Sequence, residues 1–144
     1  MKHYADSSFL VSCYIADRNT AAAKAWLLRA RIPLPFTELH ALEVRNAFHL
    51  GVFRGLITPA DIAGALANLR SDLRTGRLRR QTINWTTALR IAATISGKHT
   101  SVTGARSLDI LHVAAAKSLQ AHELISFDTR QRLLAIAVGM SSSP

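Results

Sequence analysis

The stretch RSLDILHVAAAKSL, Arg106 to Leu119, constrains this chain more than any other. Leu108, Ile110, Leu111, Val113 and three consecutive alanines give it apolar residues almost all round, the mark of a helix buried inside a fold. One carboxylate, Asp109, stands among them. Taking a charge out of water is costly unless something compensates it. Asp109 therefore either faces solvent along one polar strip or meets a cation.

The segments around this helix alternate between two patterns. KHYA (2–5) reads as a short strand and DSSFLVSCYI (6–15) as a helix, with Ser7 or Ser8 as its cap. A second helix spans roughly 19–31, with Ala22, Ala25, Trp26 and Leu28 on its packing side. IPLPF is a brief extended piece, because each proline pushes its predecessor out of helical geometry. Thr37 reads as the N-cap of a helix to Phe53, whose apolar positions are Leu39, Leu42, Ala47 and Leu50. ITPADIAGALANLRSDLR is a further helix, capped by Thr58, with Pro59 at its first position.

RQTINW then reads as a strand, TTALRIAATIS as a helix closing near Gly97, and KHTSVTGA as a loop. HELISF (122–127) is a strand and DTRQRLLAIAVG a final helix. Strands alternating with helices predict an α/β fold with a mainly parallel sheet. A chain of 144 residues is long enough to bury a core, and no linker or repeat divides it. The expectation is one domain over residues 1–140, with 141–144 as a short flexible tail.

Composition narrows the partners. Hydrophobic residues make up 49% and charged residues 19%, a globular balance rather than a disordered one. A single cysteine, Cys13, excludes an intramolecular disulfide and a cysteine-rich zinc site, and it reads as a small buried hydrophobe. No secretion signal or membrane-spanning run is evident, so the expected location is cytoplasmic, with no membrane partner. The net charge of +9 favours a polyanionic partner such as nucleic acid, and an arginine-biased genome would give the same balance. The stretch RSDLRTGRLRR (70–80) reads as a solvated charged face ahead of an RNA track.

The nine carboxylates sort by position. Glu38 and Asp61 fall in first helical turns, where the helix dipole favours negative charge. Asp72 lies among arginines, Asp17 in a helix-ending loop, and Glu123 at a strand start. Asp6 and Asp128 stand just past strands, at the sheet edge where open parallel sheets bind ligands. Glu43 lies in an apolar helix, as does Asp109. Each alone reads best as a cap or a solvated charge. As a set, they converge if both helices flank one sheet edge. Like charges so gathered would repel, and oxygen-only ligands favour a hard cation, Mg²⁺ or Mn²⁺.

The segments YADSSFL, LEVRNAF, RSLDILHVAAA and LISFDTRQRLLA resemble, in order and spacing, the four acidic motifs of the PIN domain, from Tyr4 to Met140. The length and motifs look most like the VapC toxins of toxin–antitoxin pairs. The resemblance implies a metal-dependent endoribonuclease. Asp6, Asp109 and Asp128 would be its metal ligands, and Glu43 the carboxylate that orients or deprotonates the attacking water. It sets Ser8 and Ser126 where the family often has a hydroxyl beside the acids, and Asn46 one helical turn from Glu43. Arg45, Arg106 and Arg130 are placed to meet a phosphate or to balance the acids. His112 is expected to pack through a hydrogen bond rather than to ligate.

As partners the resemblance implies an RNA substrate, a small antitoxin, a second copy in a homodimer, and promoter DNA only through the antitoxin complex. Exposed apolar surface on the second and fourth predicted helices would serve them. Two alternatives stay open: a PIN-type RNase of RNA maturation, and an inactive RNA-binding or scaffold module. Haloacid-dehalogenase-like phosphatases need a second aspartate where Ser8 stands, and receiver domains need an acidic pair ahead of the first strand. Neither pattern fits.

Overall fold

Burial of the alanine-rich helix organises the first of two units into which the computed structural model divides; residues 2–144 are described. In chain order the elements are β1 (His3–Ala5), α1 (Ser7–Tyr14), α2 (Thr20–Ala30), β2 (Leu34–Phe36), α3 (Glu38–Phe53) and α4 (Pro59–Thr75). They continue with β3 (Leu78–Arg80), α5 (Trp85–Thr103), α6 (Ser107–Ser118), β4 (Glu123–Ile125), α7 (Thr129–Ala137) and β5 (Ser141–Ser143). The first unit joins the N-terminal residues through Asp6 to Thr82–Pro144, and the second is Ser7–Gln81. Strands in both units pair in parallel, as the alternating pattern predicts.

In the first unit the strand order is β1-β4-β5. Helix α6 buries Asp109, Ile110, His112, Val113 and all three alanines. Alanine side chains let neighbouring backbones come close, and both α5 and α7 pack on α6. Tyr4, Ile95, Ile110, Val113, Leu124 and Leu134 complete the core around it. A buried leucine such as Leu134 would cost about 2–5 kcal/mol if cut to alanine.

The second unit pairs β2 with β3 and packs α1 against α2, α3 and α4. Its helix starts are chemically specified. At α3 the Thr37 hydroxyl accepts from the His40 backbone N–H, and the His40 ring accepts from the Thr37 N–H at 3.0 Å. At α4 the Thr58 hydroxyl and the Asp61 carboxylate make the same reciprocal pair, with Pro59 at the first position. Caps of this kind are each worth about 1 kcal/mol. Trp26 sits edge-on to Phe9 in this core.

Several expectations fail, each for a local reason. The buried face of α2 carries Ala23 and Trp26, while Ala22, Ala25 and Leu28 are exposed. On α3 the buried residues are Leu39, His40, Val44 and Phe48, whereas Leu42 and Leu50 are exposed. Both helices carry apolar residues on more than one side, so periodicity alone does not select the inner face. The strand expected at RQTINW lies earlier, at Leu78–Arg80, where pairing with Leu34–Phe36 outweighs β-branched character.

Helix α5 does not stop near Gly97 but continues to Thr103 and ends on Gly104, whose φ of 65° supplies the left-handed cap. Most of the expected loop at 98–105 is therefore helix. Ser7 and Ser8 fall inside the first turn of α1. The expected flexible tail is strand β5: Ser141–Ser143 pair with Glu123–Ile125, held by backbone bonds that need no apolar side chain.

Candidate active site

Asp6 is fixed by the sheet. Its backbone N–H donates to the Ile125 carbonyl at 3.0 Å, continuing the β1–β4 ladder by one residue, and its side chain is buried. The Ser126 hydroxyl, one residue beyond β4, donates to Asp6 Oδ2 at 2.6 Å. The same Ser126 oxygen accepts from the Asp128 backbone N–H at 3.0 Å. Ser126 thus ties Asp6 and Asp128 together through one hydroxyl.

Asp128 caps α7. Its Oδ1 accepts from the backbone N–H groups of Arg130 (2.8 Å) and Gln131 (3.1 Å), which leaves Oδ2 turned toward Arg106. Asp109 is bound at the start of α6: its Oδ2 accepts from the Arg106 backbone N–H and from Arg106 Nε, each at 3.0 Å. The Arg106 terminal nitrogen stands 3.8 Å from Asp128 Oδ2. One guanidinium therefore lies between two carboxylates, which answers the question Asp109 raises: it is buried on an apolar helix and a cation meets it. Arg130 is more loosely placed, with its Nε 4.0 Å from Asp128 Oδ1. An exposed pair at that distance contributes little.

Behind the acids, Gln131 is buried and donates to the Asp109 backbone carbonyl at 3.4 Å. His112 is buried too, and its Nδ1 bonds the Tyr4 hydroxyl at 2.9 Å. That is the packing role expected of it. Gln131 was invisible in the sequence, although its place three residues after Asp128, on the inner side of α7, is a usable signal.

Glu43 belongs to the second unit, on α3. It accepts a hydrogen bond of 2.7 Å from the Ser7 hydroxyl. Of the two serines in DSS, Ser7 is buried and Ser8 is exposed, and Ser7 supplies a hydroxyl to this carboxylate. The three-residue spacing from Ser7 to Leu10, both on the buried side of α1, marks it. Asn46 and Arg45 are exposed on α3. The second unit also holds a cavity of about 580 Å³ whose apolar wall includes Leu10, Leu27, Leu28, Pro33 and Leu34.

Among the described residues, no group of three or more His, Cys, Asp or Glu side chains is already arranged to hold a metal ion. The donor chemistry nonetheless fits a hard cation. Asp6, Asp109 and Asp128 offer only oxygen, and the Arg106 guanidinium already stands in for a positive charge between two of them. Its side chain is 65% exposed to solvent.

The PIN domain family model matches residues 4–137, and the chain belongs to that family, whose members are generally nucleases. By fold it is similar to the crystal structure of FitAcB from Neisseria gonorrhoeae, with a TM-score of 0.63 and 16% identity over 99% of this chain and 96% of that one. Among curated proteins, none matches the chain. No helix among the described residues is long and apolar enough to cross a membrane.

Proposed function

We propose that this PIN-domain protein is a Mg²⁺- or Mn²⁺-dependent endoribonuclease and the toxin of a toxin–antitoxin pair. The observation that carries the reading is the bonding of Asp6 to Ser126, of Ser126 to Asp128, and of Asp109 and Asp128 to one shared cationic group. In this reading Asp6, Asp109 and Asp128 hold the divalent cation. When bound, it would lower the pKa of water and offset charge growing on the scissile phosphate.

Glu43 orients or deprotonates the attacking water, and the Ser7 hydroxyl fixes its carboxylate for that task. Ser7 follows Asp6 directly in the chain, which supports a shared role for the two acids. Arg106 and Arg130 neutralise the acids without cation and reach for a phosphate with it. In-line attack by water leaves a 5′-phosphate and a 3′-hydroxyl.

For partners, the reading adds an antitoxin seated in the apolar cavity beside α2, where Leu28 is 74% exposed. It adds a homodimer through α3, which exposes Leu42, Leu50 and Phe53. Promoter DNA would be bound only through the antitoxin complex. Work in the cytoplasm fits the lack of a membrane-spanning helix among the described residues. The test is cleavage of a mixed RNA pool with Mg²⁺, with Mn²⁺ and with EDTA, followed by analysis of the product ends. Metal-dependent cutting to 5′-phosphates is expected. Cyclic phosphates or EDTA-resistant cutting would exclude hydrolysis by this site.

A further inference from the structure

Resting on the reading that RNA is the substrate, we propose that a groove formed by α4 and β3 binds the phosphodiester backbone of single-stranded RNA through Arg70, Arg74 and Arg80. The groove has a volume of about 430 Å³ and is lined by Ala67, Arg70, Leu73, Arg74 and Arg80. All three arginines are exposed. The one carboxylate within residues 70–80, Asp72, is engaged elsewhere: it accepts from the Tyr14 hydroxyl at 2.8 Å and from Arg77 at 3.4 Å. No ion pair among the described residues reaches Arg70, Arg74 or Arg80.

The fold sets their spacing. Arg70 and Arg74 lie four residues apart on α4, so they are surface neighbours with Cβ atoms about 5–6 Å apart. That separation is close to the distance between successive phosphates of a strand. Gly76, with a φ of 80°, turns the chain out of α4, and the register of β3 on β2 pairs Arg80 with Phe36. The third guanidinium thereby enters from the strand side. Arginine grips phosphate through paired N–H donors and keeps its charge at any working pH. Ala67 and Leu73 give the floor an apolar surface for a sugar or base face.

The test is binding of a short, unstructured, fluorescein-labelled RNA to the full chain in EDTA, with salt titration, for the wild type and R70Q/R74Q/R80Q. Loss of three phosphate contacts should weaken binding roughly tenfold or more and lower the slope of log K against log salt by about two. Melting should be unchanged. Equal affinity and equal slope would overturn the assignment. So would polyglutamate competing as well as RNA of equal charge, which would mark an acidic-protein site. Cutting by the wild type with unaltered binding by the variant would sink the groove and leave the nuclease standing. Groove-dependent binding without cutting under any metal would do the reverse, and no RNA binding at all would overturn both.

Discussion

The carboxylates of the first unit and the arginines of the second differ in how the fold holds them. Asp6 takes a serine hydroxyl, Asp109 the N–H groups of Arg106, and Asp128 the first free N–H groups of α7. Arg70, Arg74 and Arg80 are placed by the backbone alone, with their charged ends in solvent. The acids are therefore positioned before any ligand arrives, and each does structural work as well. The arginines carry no such duty. Substitutions should separate the two regions, since changing an acid can cost stability and chemistry together, and changing an arginine should cost affinity alone.

Among polar substitutions, the largest stability effect should come from the packing behind the acids. Tyr4→Phe removes the hydroxyl bonded to buried His112 and should destabilise the chain by about 1–3 kcal/mol in urea denaturation. With His112 in the packing role proposed for it, metal affinity should stay unchanged; weakened metal binding at equal foldedness would contradict that role. Asp128 divides cap from chemistry. Asp128→Ala should lose about 1 kcal/mol with the cap, whereas Asp128→Asn keeps a capping oxygen and should lose cleavage but almost no stability. Equal stability losses for both would mean that charge, not capping, holds α7.

The arginine groove should show the opposite balance, with R70Q/R74Q/R80Q unfolding within about 0.5 kcal/mol of wild type. A larger loss would mean that these side chains help to hold α4. The smallest effect concerns Asp61, whose bonds to the Thr58 backbone and hydroxyl hold its carboxyl below the usual range. A depressed folded-state pKa gives stability above the unfolded value of about 3.8, lost as pH falls through the folded value. Wild type should therefore melt above Asp61→Ala at pH 7, and the gap should narrow toward pH 3. A gap that does not depend on pH would refute the carboxylate's part.

The acidic positions were legible because each contradicts its surroundings: Asp6 and Asp128 follow strands, and Asp109 and Glu43 interrupt apolar helices. The alternation of elements and the caps at Thr37 and Thr58 were legible for the same local reasons. Faces were not. With Leu42, Leu50 and Phe53 exposed on α3, and Leu28 on α2, apolar residues mark outside as well as inside. Gly97 suggested a stop, yet a lone helical glycine costs only about 1 kcal/mol against alanine, and burial of Ile95 and Ala105 in one core carries α5 past it. Ser141–Ser143 has no strand signature because its pairing rests on backbone groups. Among the partners of the acids, Arg106 was legible from its place ahead of Asp109, whereas Ser7 and Gln131 were the hardest to read, since each depends on which way a side chain turns.

The central claim is that Asp6 and Asp109 carry metal-dependent RNA hydrolysis. Its most direct test is the cleavage rate of purified wild type beside Asp6→Asn and Asp109→Asn, with Mg²⁺ or Mn²⁺ and all three shown folded by melting. Cutting by the wild type that both substitutions abolish is the result this account predicts. Cutting that persists at the wild-type rate in either folded variant would contradict it.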